Sequence, residues 1–333
     1  MTAPGAGASG EDALIARYFK PLATDPGAFA LVDDAAILKA TGEDLVVKTD
    51  AIVEGVHFLP DDPPDTVARK ALRVNLSDLA SKGAVPCGFL LTLALRKADD
   101  AWLAPFARGL GEDAAQYGCP LLGGDTVSTP GPLMISIAAF GRVPSGKMVH
   151  RFGAQPGDRV VVTGTIGDAS LGLDILKGGA AAAALADDAA ARDLLVGRYR
   201  VPQPRNALAQ VIREYASASM DVSDGLAGDL AKLCAASGVS AAIDAPSIPL
   251  SAPAAALVRR GTVGIGTLVS AGDDYEILCA IPENQFEAFA RAARVAGVAV
   301  TPIGMVIAGK VAPRFLDAQG GEVPLPRPSY SHF

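Results

Sequence analysis

The chain is poor in the side chains that many enzymes use as bases and nucleophiles: it holds three histidines, four cysteines and one tryptophan in 333 residues. His57, His150 and His332 fall in no pattern that sets a base beside a Ser, Cys or Thr, and no Gly-x-Ser-x-Gly occurs. Acyl transfer is thereby discounted. Cys87, Cys119, Cys234 and Cys279 are widely spaced in apolar surroundings, with no Cys-x-x-Cys. They read as buried, reduced thiols of a cytosolic protein. Basic residues are outnumbered, 29 against 36 acidic, for a formal charge of −7. That argues against an extended nucleic-acid surface, which needs a clustered basic face. Long apolar runs are missing too. Ala180–Ala186 is far too short to span a bilayer and is flanked by charge. Residues 1–10 lack the charged start and apolar core of a secretory signal. The expectation is a soluble, cytoplasmic protein that meets neither nucleic acid nor membrane.

What the chain does have is aliphatic bulk and carboxylates. Half of its residues are hydrophobic but only 5% are aromatic, so Ala, Val, Leu and Ile must build the core. The length suffices for two domains with separate cores. A connector rich in Gly, Pro and basic residues, from Arg142 to Pro156, places the boundary near 145–155 and gives domains of 1–148 and 149–333. Strand-like and helix-like runs alternate in each half, which indicates an α/β or α+β layered architecture.

Two stretches form a faint internal repeat: Asn75-Leu76-Ser77-Asp78-Leu79-Ala80 and Asp221-Val222-Ser223-Asp224-Gly225-Leu226. In the second, a strand should end at Val222, with Ser223 or Asp224 capping a helix through Leu226, Leu230 and Leu233. Asp33-Asp34, Thr49-Asp50, Gly123-Gly124-Asp125 and Gly272-Asp273-Asp274 occupy similar positions, mostly after apolar runs. Two unit charges about 4 Å apart cost roughly 4 kcal/mol at an effective dielectric of about 20. Several such pairs converging in one cleft need cations, and hard oxygen ligands favour Mg²⁺. The plainer alternative makes each Asp a turn former or helix cap.

The same reading expects strands at Phe29–Val32, 45–50, 88–95, 158–163, 239–244 and 264–270. Helices are expected from Pro64 to about Lys82, over 101–117, 169–176 and 205–215, and after Pro282. The glycine-bearing turn Gly164–Asp168 could cradle a phosphate at a helix start, although it lacks a Walker lysine pattern. Gly178–Arg192 reads as a surface helix or loop without functional weight. Carboxylates on turns, Gly-rich surroundings and a few arginines suit metal-assisted phosphoryl transfer.

Val32-Asp33-Asp34-Ala35-Ala36, Lys48-Thr49-Asp50, Gly55-Val56-His57-Phe58, the two repeat stretches, Leu122-Gly123-Gly124-Asp125-Thr126 and Gly272-Asp273-Asp274-Tyr275-Glu276 resemble the thiamine-monophosphate kinase family in order and spacing. The resemblance covers nearly the whole chain and ends with Tyr330-Ser331-His332-Phe333. It implies a two-domain PurM-like fold: an N-terminal mixed sheet that forms a barrel across a homodimer, and a C-terminal α/β sandwich. It also implies ATP-dependent phosphorylation of thiamine monophosphate to thiamine diphosphate; because the acceptor phosphate, with a second pKa of about 6, is mostly ionised at neutral pH, direct in-line transfer without a phosphoenzyme is expected. On the matching positions, Asp34, Thr49, Asp50, Asp78, Asp125, Asp221 and Asp224 would hold Mg²⁺. Gly124, Asp125, Arg151 and Ser223 would meet ATP, with Asp224 and Arg151 closest to the chemistry. His57, Asp273 and Arg327 would meet thiamine monophosphate. Asp273 stands where the family often has Glu, and Arg327 falls where an aromatic often contacts the thiamine ring, although a guanidinium also stacks on rings. The alternatives are another ATP-dependent enzyme of the same superfamily or a catalytically silent nucleotide-binding protein.

Overall fold

The computed structural model describes residues 14–31, 38–39 and 41–326. These residues divide into two compact units. One comprises the chain up to Leu79 together with Val85–Gly146; the other comprises Ala80–Ala84 and the chain from Lys147 on.

The first unit is built on a four-stranded mixed sheet: β1 (Glu43–Val53), β2 (Val85–Leu95), β3 (Leu121–Ser128) and β4 (Met134–Pro144), in the order β1-β4-β2-β3. Only β2 and β3 run parallel. They are joined through a helix, as a parallel connection requires. Helix α1 (Pro64–Ser81) lies between β1 and β2 in the chain, and helix α2 (Asp100–Gln116) between β2 and β3. Val67, Ala71 and Val74 of α1 and Leu103, Phe106 and Leu110 of α2 are buried, each set at helical spacing. Buried Asp113 of α2 pins the two helices together by accepting from Arg73 of α1 at 2.5 and 2.9 Å and from Arg69 at 2.6 Å. The strands bury one face, with Phe89, Leu91, Leu93, Ile135, Ile137 and Ala139 on it.

In the second unit six strands take the order β10-β7-β9-β5-β8-β6. In chain order the elements are β5 (Arg159–Thr163), α3 (Asp168–Leu176), α4 (Ala180–Ala184), α5 (Ala189–Arg200), α6 (Ala209–Tyr215), β6 (Ala218–Asp221), α7 (Leu226–Ser237) and β7 (Ser240–Asp244). Then follow α8 (Ala252–Arg259), α9 (Ile265–Val269), β8 (Ile277–Ile281), α10 (Phe286–Val295), β9 (Val300–Ile307) and β10 (Arg314–Leu316). Strand β8, next to the edge strand β6, is buried along its whole length. One face packs Val160, Val162, Leu278 and Ile303 against Leu226, Leu230 and Leu233 of α7. The other packs Val161, Ile277 and Cys279 against Ile212 and Phe289. A sheet covered on both sides has strands that read as continuous apolar runs rather than alternating ones.

Three local expectations are corrected. Phe29–Leu31 is not a strand: after a short turn in which the Asp25 carboxylate accepts from the Gly27 amide at 2.7 Å, the three residues take left-handed backbone angles, φ 49°, 52° and 56°; Val32 lies outside the described residues. Residues 265–269 form α9 rather than a strand, because Leu268 completes an apolar cluster with Leu171, Leu195, Ala254 and Leu257. Neither Ser223 nor Asp224 caps α7: the N-cap is Gly225 at φ 107°, with no side-chain cap. The four cysteines are free; Cys119, Cys234 and Cys279 are buried and Cys87 is partly so.

Candidate active site

In the first unit Lys48 and Asp50 stand two residues apart on β1, hence on one face of the strand. That is the inner face, shared with buried Val46 and Ile52. From α1, the Asp78 carboxylate reaches the Lys48 ammonium at 2.7 Å, and Asp50 reaches it at 3.1 Å. Burial works to lower the Lys48 pKa, but the charges of Asp78 and Asp50 outweigh it and the net shift is upward. Two carboxylates from separate elements thus already enclose one cation. Thr49 alternates to the opposite, exposed face of the strand.

Asp125 is exposed on β3. The register aligns it with Thr92, Ser136 and Ala51 across the sheet, so it shares the outer face with exposed Ala51. The inner pair Lys48 and Asp50 lies on the other face, three strands away, which is about 14 Å. Gly124 has a packing reason to be glycine: a Cβ there would stand 1.9 Å from the Leu91 carbonyl oxygen. Gly124→Ala should therefore destabilise the chain by about 1–3 kcal/mol of overpacking, read by denaturant unfolding. His57 lies in the turn after β1, where its Nδ1 accepts from the Val53 amide at 3.1 Å. The neutral ring must then carry its proton on Nε2, which makes that atom a donor.

In the second unit the two remaining motifs are laced together by their backbones. The Asp273 amide donates to the Ser223 carbonyl at 2.9 Å, Tyr275 to Val222 at 2.8 Å, and Val222 to Glu276 at 2.8 Å. The approach is close enough that a Cβ on Gly272 would sit 2.3 Å from the Ser223 oxygen. Asp221 is buried at the end of β6, with Ser223 and Asp224 half-exposed beyond it and Asp273 half-exposed on the neighbouring turn. The structure therefore brings Asp221, Ser223, Asp224 and Asp273 onto two adjoining turns. Arg151 is exposed on the segment that enters this unit, beside a stacked His150–Phe152 pair at 4.4 Å. Asp34 and Arg327 lie outside the described residues.

Several residues that organise these turns carry no role in the sequence reading. Asp229, fully buried in the first turn of α7, accepts from the amides of Ser223 and Asp224 at 3.0 and 2.9 Å. Lys232 then bridges Asp229, at 2.8 Å, and Asp224. Burial raises the Asp229 pKa against the opposing pull of Lys232. Its i, i+3 spacing to Lys232 was the available signal.

The supposed phosphate cradle Gly164–Asp168 is already filled. The Asp274 carboxylate accepts from the Gly167 amide at 2.8 Å and from Ala169 at 3.5 Å. The place an anion would take at the start of α3 thus belongs to the chain's own side chain, and the expectation of a phosphate there is corrected. Fully buried Glu276 accepts from Arg198 and from Arg205 at 2.5 Å each on Oε1, and on Oε2 from Arg205 at 2.7 Å and Thr163 at 2.6 Å.

Among the described residues no three His, Cys, Asp or Glu gather closely enough to enclose a metal ion by themselves. The carboxylates come instead in small groups around a lysine ammonium. That fits Mg²⁺, which is usually bound through one or two carboxylates, with phosphate oxygens and water completing its shell.

Two family models cover most of the chain: the N-terminal domain of AIR synthase related protein over residues 32–143 and its C-terminal domain over residues 155–314. Over 314 residues the chain is 45% identical to the thiamine-monophosphate kinase of Caulobacter vibrioides, covering 92% of this chain and 87% of that one. It is similar in structure to the thiamine-monophosphate kinase of Stenotrophomonas maltophilia, with a TM-score of 0.79 at 35% identity over 88% of this chain and 91% of that one. It is also similar to AaThiL complexed with AMPPCP and TMP, with a TM-score of 0.76 at 29% identity over 92% and 97% of the two chains.

Proposed function

This chain belongs to the thiamine-monophosphate kinase family of the AIR synthase related proteins, and from that premise we propose that it transfers the γ-phosphoryl group of ATP to thiamine monophosphate. A new bond forms between an acceptor phosphate oxygen and the γ-phosphorus. The bond from that phosphorus to the bridging oxygen breaks, giving ADP and thiamine diphosphate. The observation that best supports this reading is the backbone ladder that holds Ser223 against Asp273. It puts a proposed nucleotide contact and a proposed acceptor contact on two adjoining turns joined by backbone hydrogen bonds.

The acceptor needs no general base, because a phosphate monoester with a second pKa of about 6 is mostly ionised at neutral pH. That agrees with the shortage of histidine. The protein's task is to hold two polyanions in line. Mg²⁺, when bound, supplies the positive charge that offsets their repulsion. We assign Asp50 and Asp78 in the first unit, and Asp221 and Asp224 in the second, as its principal holders; Asp34 would add to them, while Thr49 and Asp125 share the outer face of the first unit's sheet and would hold an ion there, apart from the Asp50–Asp78 pair. Gly124, Arg151 and Ser223 would meet ATP, with Arg151 adding charge to the transferring group. The Nε2–H of His57 suits the acceptor phosphate, and the anionic Asp273 suits the cationic thiamine ring, on which Arg327 would stack.

The outer face of the first unit's sheet exposes Leu45, Val47, Leu90 and Val127. An apolar sheet face of this kind supports a homodimer in which two such sheets close into a barrel. None of the described helices is long and apolar enough to cross a membrane, and we place the enzyme in the cytoplasm.

The test is ADP release with Mg²⁺ and ATP, comparing thiamine monophosphate with aminoimidazole ribonucleotide precursors as acceptors. Thiamine diphosphate should form one for one with ADP. Turnover only with an aminoimidazole precursor would replace this reading.

A further inference from the structure

The turn Gly272–Glu276 is held in a conformation that its own residues resist. Asp273 (φ 75°) and Tyr275 (φ 50°) both occupy the left-handed region, which is strained for non-glycine residues. Such strain persists only where the surroundings over-determine it. The surroundings here are the backbone ladder to Val222 and Ser223, the Glu276 clamp at the start of β8, and Asp274 between the two strained residues. Asp274 is 2% exposed and sits on the first turn of α3, whose own N-cap, Gly167, offers no side chain.

We propose that Asp274 is a positioning residue for the acceptor: by docking its carboxyl on the start of α3, it fixes Asp273 in the left-handed conformation that presents the Asp273 carboxylate to bound thiamine monophosphate. The inference rests on the assignment of Asp273 given above. Without the anchor, Asp273 relaxes toward φ of about −65°, a rotation of roughly 140°. That rotation swings its side chain away from the place held in the intact turn. The Ser223–Asp224 side is held separately by Asp229, so the nucleotide contacts are spared. Burial pushes the Asp274 carboxyl well above the usual carboxylate range; the Gly167 amide and Arg198 oppose the shift, while Asp168 and Glu276 add to it. An asparagine has the same shape and keeps an oxygen that can accept from the Gly167 amide.

A purely structural cap would cost stability and leave substrate selectivity alone. Steady-state kinetics of Asp274→Ala, Asp274→Asn and Asp274→Glu separate the two roles. Asp274→Ala should raise KM for thiamine monophosphate roughly 10- to 100-fold, with KM for ATP within about threefold. Asp274→Asn, which still accepts from the Gly167 amide, should recover most of the loss. Asp274→Glu decides the matter if the alanine variant does not fold. It keeps the acceptor and pushes the turn outward by one methylene, so KM for thiamine monophosphate should again rise. An unchanged KM in the folded variants, or equal rises in both KM values, overturns the proposal. A wild-type enzyme that does not turn over thiamine monophosphate removes the functional reading, and this inference with it.

Discussion

Asp224→Asn should lower kcat by about 100- to 1000-fold, the range seen when one group that stabilises transition-state charge is lost, while the metal-free protein unfolds within a few degrees of wild type. The small stability effect follows from exposure. Asp224 and Lys232 are 37% and 39% exposed at their side chains, and pairs of that kind contribute about 0–1 kcal/mol. Asp229, fully buried, keeps hold of Lys232 at 2.8 Å in the variant. The backbone ladder does not involve the Asp224 side chain at all. The measurement pairs initial rates with thermal unfolding, with and without Mg²⁺ and ATP. Wild type should gain stability from the ligands by mass action, and the variant should gain much less. A variant that unfolds far earlier than wild type before any ligand is added would show Asp224 to be structural.

Glu276→Ala should cost about 3–5 kcal/mol of stability, as expected when one partner of a buried ion pair is removed. The side chain is fully buried, and both oxygens are occupied by Arg198, Arg205 and Thr163. Its removal strands two guanidiniums whose side chains are only 15% and 22% exposed. Loss of the partner matters more here than loss of attraction, because the pair's net contribution is small against the desolvation of charges left behind. Replacing all three charged residues together by apolar side chains of similar size should therefore restore much of the stability that the single variant loses. Denaturant midpoints of the single and triple variants measure both effects. Equal destabilisation in the two would refute the desolvation argument.

The elements that could be read from the sequence were those whose burial pattern repeats. The period of Val67, Ala71, Val74 and Asp78 marks α1, and the apolar run ending at Asp50 marks β1. Residues 265–269 misled because a five-residue apolar run carries no period that distinguishes helix from buried strand; packing of Leu268 decided it. For the site, the motif residues were legible because turns after strands gather there. Their partners were not. Neither Lys48 nor Lys232 carries a role in the sequence reading, and only the fold sets each between two carboxylates. The phosphate expectation at Gly164–Asp168 failed for a related reason: Asp274, more than a hundred residues away in sequence, fills that helix start.

The four unpaired cysteines carry a practical consequence. Burial drives the thiols of Cys119 and Cys279 up to about 12 and that of Cys234 up to about 11, and Cys87 is raised as well. At neutral pH the thiolate fraction of the first three is on the order of one in ten thousand or less. Iodoacetamide at pH 7 should modify the folded enzyme slowly, and at Cys87 first, whereas unfolded chain should react quickly at every position. A fluorescent reporter could therefore be attached through a single new cysteine on the surface, with the native four left in place.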